Sequence, residues 1–226
     1  PFFVIWSLVL IPIALQPDLS TAMLIGLLGV MIVFAAGVRI THFLFLGLLI
    51  VPFLQKQLSV GFRADRIEAF LNPALDPTGA GFQVRQSLVA LGSGGLTGVG
   101  IGEGRQKFGF LPEAHNDFIF AMIGEEWGLL GVIFLVALYM GIVLVGFRIA
   151  SRAPDLFGEL LALGFTNLIA LQAVLHMSVG LGLLPPTGLA LPLVSWGRSN
   201  LVVTLAAIGI LVSVARAVPG RKAARA

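Results

Sequence analysis

An all-α, polytopic transmembrane helical bundle is the fold class this sequence predicts, and three features predict it. Of the 226 residues 58% are hydrophobic and 11% charged, with a mean hydropathy of +1.01, more apolar side chain than a soluble core of this length encloses. The apolar residues run on for about 15 to 30 positions at a time, whereas a barrel strand alternates polarity over roughly ten. The polar residues gather in a few connecting segments, above all one of about sixty residues. With no cysteine in the chain, disulfides, thiolate nucleophiles and Cys-ligated metals are excluded. The net charge of +3 comes from bases that flank apolar runs. That placement suits an anionic leaflet rather than nucleic acid, for no folded basic domain is there to hold a polymer.

Residues 1–55 read as three membrane helices, Phe2 to Leu15, Leu19 to Val38 and Ile40 to Leu54, with Gly37-Val-Arg-Ile a tight basic turn between the last two. Residues 56–116 are the large polar loop, the one segment able to build a site outside the bilayer. Within it, Phe62 to Leu71 predicts an amphipathic helix stopped by Asn72-Pro73, and Gln83 to Leu91 a second stopped by Gly92-Ser-Gly-Gly. Residues 117–216 supply three more spans, Phe118 to Phe147, Leu156 to Leu184 and Leu201 to Val214, with an outer loop over 185–200; residues 217–226 form a basic tail. Arg39, Arg148, Arg152 and the tail then share a cytoplasmic side, by the preference of basic loops for that side. The large loop, the Gln16 to Thr21 turn and the 185–200 loop share the outer face, where three polar clusters from distant parts of the chain can line one pocket.

The most informative stretch is Leu111-Pro-Glu-Ala-His-Asn-Asp117, followed by Glu125 and Glu126, because carboxylates at the mouth of an apolar helix are expensive unless they serve something. Asp117 reads either as the cap of the next helix or as a carboxylate whose basicity Glu113, His115 and Lys107 tune. Glu125 and Glu126 project about 100° apart, and an ion pair is expected for at least one, with Arg66 and Arg198 as candidate partners or diphosphate clamps. Asp18, between Pro17 and Ser20-Thr21, reads equally as a cap or a site residue. Asn167, Gln172 and His176 are expected to bond neighbouring helices rather than substrate. The run Gly92 to Gly104 is not a nucleotide loop, since no strand precedes it and no Gly-Lys-Ser/Thr follows; a backbone cradle for an anion is the lesser remaining possibility.

Taken in order, these residues resemble the SEDS family (shape, elongation, division and sporulation), the FtsW/RodA type. The matching elements are Gln16-Pro-Asp-Leu; Arg66 with Ala69-Phe-Leu-Asn-Pro73 and Asp76-Pro; Gly81-Phe-Gln with Gln86-Ser; Gly95 to Gly102; Gln106-Lys107; Leu111 to Phe120; Glu125-Glu126; and Leu184 to Pro192 with Ser195. The Leu-Pro-Glu-Ala-His-Asn-Asp form is closer to the FtsW branch. Ser20 and the Ser195-Trp-Gly-Arg198-Ser-Asn segment depart from the family pattern, and Arg198 puts a cation in a normally glycine-rich loop.

The resemblance implies ten spans, so four are expected ahead of Pro1. It also implies peptidoglycan glycosyltransferase activity, with lipid II polymerised on the outer face of the bacterial cytoplasmic membrane. A class B penicillin-binding protein and other membrane proteins of the division machinery are the implied partners. Asp117 matches the family's key aspartate and is the expected general base, shaped by His115 and Glu113, with Lys107, Arg66 and Arg63 neutralising diphosphate. Gln83, Gln86, Ser87, Asp18, Thr187 and Ser195 are the further expected substrate contacts. A divalent cation, Mg or Mn, is implied without any diagnostic ligand cluster. Two other classes stay open: a lipid II transporter, which would want charges deep in several spans, and a non-catalytic scaffold for division partners.

Overall fold

A computed structural model describes residues 2–16, 18–59, 61–72, 76 and 78–217 of the chain. Its elements are α1 (Phe2–Leu15), α2 (Leu19–Ala35), α3 (Ile40–Leu58), α4 (Gly61–Leu71), α5 (Ala80–Gly94), α6 (Ile119–Ala150), α7 (Leu156–Gly180) and α8 (Arg198–Ala217), with no strand among the described residues. The architecture is all-α, with helices at all six expected apolar segments. By length and composition α6, α7 and α8 are able to cross a membrane, at 32, 25 and 20 residues; α1 and α2 are apolar but shorter, at 14 and 17. Pro73, Pro17 and the basic tail from 218 on lie outside the described residues.

The chain divides into two compact units, which are described separately. The first holds Pro1–Val38, Val136–Ala173 and Gly197–Ala226. Here Asp18 caps α2: its carboxylate accepts from the Thr21 amide at 3.0 Å, supplying one of the partners a helix start lacks, and from the Thr21 hydroxyl at 2.6 Å. Small residues let these helices approach. The Trp6 indole fills the space above Gly29, and the Thr166 side chain that above Gly146. Gln172 on α7 donates to Asn200 on α8 at 2.9 Å, so a span polar residue bonds its neighbour as expected. Arg198 is the first residue of α8 rather than a loop residue, because Leu201 N–H reaches back to Gly197 C=O at 2.9 Å and starts the helix three residues before Leu201.

The second unit holds Arg39–Leu135 and Val174–Trp196. The amphipathic helix read over 62–71 is present as α4, and α5 is longer at both ends than the predicted 83–91. At its start the Asp76 carboxylate accepts from the amides of Gly79 at 2.8 Å and Gly81 at 3.0 Å, and these bonds hold Asp76 below the usual carboxylate range. At its end α5 runs through Gly92 and Gly94 to a left-handed Gly95. Gly94 is small for a packing reason, as a Cβ there would run into the Gly124 carbonyl of α6.

α6 itself is broken. Gly128 sits at φ 67, ψ −163, inside what the sequence predicts as one uninterrupted span. The break withdraws Leu129 and Leu130 N–H from the carbonyls four residues back, and the glycine run supplies replacements. Leu129 N–H donates to Gly95 C=O at 2.9 Å and Leu130 N–H to Leu96 C=O at 3.2 Å; in return Val99 and Gly100 N–H donate to the carbonyls of Glu125 and Glu126 at 3.0 and 3.2 Å. Gly98 lies against the Glu126 carbonyl with no room for a Cβ. The glycines therefore admit one backbone to another, which is what a span needs when its own ladder is interrupted.

The left-handed φ at Gly128 and the Leu96 and Gly98 backbone against it leave no place for a side chain. Gly128→Ala is expected to cost at least about 1–2 kcal/mol from φ alone. The melting temperature of the purified protein then drops by at least roughly 2–4 °C, while Gly141→Ala, with open space at its Cβ position, leaves it in place.

Candidate active site

All contacts of the site described next lie within the second unit. Residues 111–118 form a turn-rich strip that docks by every third or fourth residue: Leu111, Ala114 and Phe118 are buried together with Met122 of α6 and Val179 of α7. The residues between them cannot be buried in the same contact, which leaves Glu113 and His115 exposed and Asn116 and Asp117 half-buried. Glu113 carries φ 53, a left-handed conformation unusual outside glycine, and its carbonyl accepts from the amides of Asn116 at 3.0 Å and Asp117 at 2.9 Å.

The 185–196 loop fastens the strip from outside. Ser195 Oγ donates to the Asn116 carbonyl and accepts from Leu191 N–H, both at 2.7 Å, while Trp196 N–H donates to the His115 carbonyl at 3.2 Å. The loop is held in turn by His176, whose Nδ1 lies 2.7 Å from the Leu189 carbonyl. A carbonyl only accepts, so the proton sits on Nδ1, and the buried Nε2, which has no partner, is an acceptor. Two of the three polar clusters expected to converge, the large loop and the 185–196 loop, are thus joined. Asp18 belongs to the first unit, where it serves as a cap.

Several expected substrate contacts have other partners. Ser195 is occupied as above. Ser87 is fully buried on α5 and donates to the Gly180 carbonyl at 2.7 Å. Lys107, expected on diphosphate, donates to the Glu126 carboxylate and the Gly102 carbonyl, each at 2.6 Å. Glu126 also accepts from Gly102 N–H at 2.9 Å. The ion pair expected at Glu125-Glu126 therefore exists, with Lys107 rather than Arg66 or Arg198 as partner, and the glycine run bonds the protein's own carboxylate instead of cradling an outside anion. Thr187 Oγ1 is buried without a partner, and Gln83 and Gln86 stand half-buried three residues apart on α5. Arg63 is buried and Arg66 exposed on α4. Sequence reading did not single out Gln106 and Asn116 as contacts, though both stand within the matching motifs; their side-chain oxygens are buried and unpartnered, and composition carries no signal for desolvation.

Asp117 is the one carboxylate among these unpartnered buried groups. α6 begins at Ile119, its first bonds run to the Phe118 carbonyl, and Asp117 caps nothing. Its Oδ1 is buried with no hydrogen-bond partner. Removal from water raises its carboxyl above the ordinary aspartate value, and the negative charge of Glu113 adds to this, while the Arg66 guanidinium opposes it. A half-buried carboxylate with one unpartnered oxygen, within the electrostatic influence of a cation, is equipped to accept a proton from a hydroxyl group brought to it.

A carboxyl raised in the folded state favours folding while protonated, and that contribution is lost as pH rises through the folded value. Above the ordinary aspartate range the raised Asp117 carboxyl accordingly opposes folding. Asp117→Asn, neutral at every pH and of the same shape, is expected to melt at a higher temperature than the parent near pH 7. The gap should close as pH falls toward about 4, the ordinary aspartate range; thermal melts of the two proteins across that range check it.

Residues 1–219 match the family of cell cycle proteins FtsW, RodA and SpoVE. Over 221 residues the chain is 46% identical to a protein of Geobacter metallireducens named probable peptidoglycan glycosyltransferase FtsW, covering 97% of this chain and 59% of that one. It is 45% identical over 202 residues to stage V sporulation protein E of Bacillus subtilis, covering 89% and 55%. Among solved structures it superposes on a chain of a peptidoglycan synthase complex that coordinates polymerisation and crosslinking, with a TM-score of 0.74 at 30% identity over 95% of this chain and 60% of that one. The rod shape determining protein RodA of Thermus thermophilus gives a TM-score of 0.61 at 29% identity, over 97% and 57%. The chain thus spans less than two thirds of the length of these relatives. With a match over nearly its whole length and the family's fold, it belongs to the FtsW/RodA/SpoVE family of membrane proteins.

Proposed function

We propose that this protein is a peptidoglycan glycosyltransferase that polymerises lipid II into β-1,4 glycan on the outer face of the bacterial cytoplasmic membrane, in cell division. One observation carries the reading beyond the names of its relatives: Asp117 is a half-buried carboxylate with an orphaned oxygen and a raised pKa. Chain growth asks for such a group. The 4-hydroxyl of the acceptor sugar attacks C1 of the donor, its proton passes to the Asp117 carboxylate, the new C–O bond forms, and the bond from C1 to the undecaprenyl diphosphate breaks with its electron pair on the departing oxygen.

Arg66, exposed and acting electrostatically on Asp117, is the side chain proposed to receive the growing diphosphate charge, with Arg63 on the same helix. Lys107 joins them only by exchanging Glu126 for the substrate. His115 and Glu113 shape the entrance, and Gln83, Gln86 and Thr187 are the polar side chains left to contact sugar. Among the described residues no three His, Asp or Glu side chains gather to hold a metal. A magnesium ion keeps much of its shell as water and phosphate oxygen, so Mg or Mn fits as a companion of the diphosphate rather than a resident of the protein. A class B penicillin-binding protein is the proposed partner, supported by the likeness to a synthase complex that joins polymerisation to crosslinking.

Lipid II polymerisation by the full-length protein tests this. Asp117→Asn is expected to lose about 10²–10⁴-fold in rate, the usual weight of a general base. In the parent, activity falls on the acid side as Asp117 takes up its proton, with a midpoint above the ordinary aspartate value because its pKa is raised. Arg66→Ala, which removes the charge that lowers that pKa, moves the midpoint further toward neutral. Near-normal polymer from Asp117→Asn removes the assignment.

A further inference from the structure

We propose that Glu125 is a positioning residue for Asp117, acting through the backbone of the segment that leads into the strip; the inference rests on the reading of Asp117 as the base. Glu125 is only 2% exposed, and its carboxylate bonds main chain alone: Oε1 accepts from Arg105 N–H at 2.8 Å, and the two oxygens share Gln106 N–H at 3.3 and 3.4 Å. Next to it Glu126 takes Gly102 N–H and the Lys107 ammonium. A Cβ on Gly104 would stand 2.9 Å from the Glu126 carboxylate and 3.0 Å from that of Glu125, so the two acids close on the loop from α6 like a clasp.

The anchored residues are where the strip begins. Gln106 C=O accepts from Leu111 N–H at 3.0 Å, which makes Arg105 to Leu111 one closed turn, and Leu111 is the first buried residue of the strip. Asp117 is therefore held between two fixed points: the buried Phe118, immediately before α6, and Glu125 on α6, which secures the far end of the loop one helical turn before the Gly128 break. A buried carboxylate is a costly way to bind two amides, since a serine or asparagine would accept as well. What the charge adds is stiffness: bonds to an ionised acceptor are about twice as strong as neutral ones, and misplacing a reacting group by about 1 Å costs roughly 10²-fold.

The experiment compares Glu125→Ala, Glu125→Gln and Gly104→Ala with the parent in lipid II polymerisation, and in trypsin cleavage after Arg105 and Lys107 in the reconstituted full-length protein. Glu125→Ala should lower kcat about 10–10²-fold with KM within about twofold, because the group misplaced is one that acts in the transition state. Its acid-side midpoint stays where the parent's is, and cleavage at the two basic residues speeds up. Glu125→Gln, which keeps an acceptor for Arg105 N–H but gives up the charge, recovers part of the rate and falls between Glu125→Ala and the parent. Gly104→Ala pushes the carboxylates off the loop without touching α6, and gives the same pattern at smaller size should Glu125→Ala fail to fold. A normal kcat in a variant whose loop trypsin has opened overturns the proposal, as does equal loss in Gln and Ala or a moved midpoint, which would mean that more than the position of Asp117 has changed. Failure of the base assignment reads differently, as polymer from Asp117→Asn.

Discussion

A polar group removed from water has to find a partner or be held unpartnered at a cost of about 1–3 kcal/mol, and in a membrane the rule is strictest because the hydrocarbon offers no partner at all. The second unit of this protein is organised by that rule. The break at Gly128 opens the backbone ladder of α6, and four hydrogen bonds to Gly95, Leu96, Val99 and Gly100 close it again. The loop thereby drawn in is itself held by Glu125, Glu126 and Lys107. The strip beyond it is tied by Ser195 and Trp196. A few buried side-chain atoms are left over, on Gln106, Asn116, His176, Thr187 and Asp117, and of these only Asp117 is a carboxylate.

Charge and packing divide the work along the strip. Leu111, Ala114 and Phe118 fix its position by burial, with Phe118 at 2% exposure, and truncating a buried phenylalanine typically costs about 3–5 kcal/mol. The residues left between these anchors set the electrostatics: burial and Glu113 hold the proton on Asp117, and Arg66 draws it off. The first tendency outweighs the second, so the Asp117 carboxyl lies above the ordinary aspartate value, the direction that general base catalysis favours.

Much of this was legible in the chain. The all-α class followed from continuous apolar runs, the α4 helix from its amphipathic spacing, and the candidacy of Asp117 from a carboxylate placed where a polar loop meets an apolar span. Resemblance to the family pointed to the same residue, and the family itself is borne out by the match over residues 1–219. Other features were illegible for physical reasons. Gly128 is one glycine among many in an apolar run, and only the backbone of Leu96 and Gly98 against it shows that it is left-handed. Gly92 and Gly94 look like a helix stop, but neither adopts a positive φ, so α5 continues to Gly95. Lys107, Ser87 and Ser195 have the chemistry of ligand contacts; that carbonyls and carboxylates of the protein already occupy them depends on residues between 19 and 93 positions away.

The measurement that bears most directly on the account is the titration of the Asp117 carboxyl itself. Infrared spectra of protein labelled with ¹³C in its aspartate carboxyls, taken as parent minus Asp117→Asn, isolate this one group without relying on turnover. The account predicts a protonated carboxyl band that persists above pH 4, the ordinary aspartate value being about 3.9, and that shifts further upward in Arg66→Ala. A band that titrates at or below the ordinary value would contradict it, for the carboxylate would then be solvated or paired and no more basic than one at the surface.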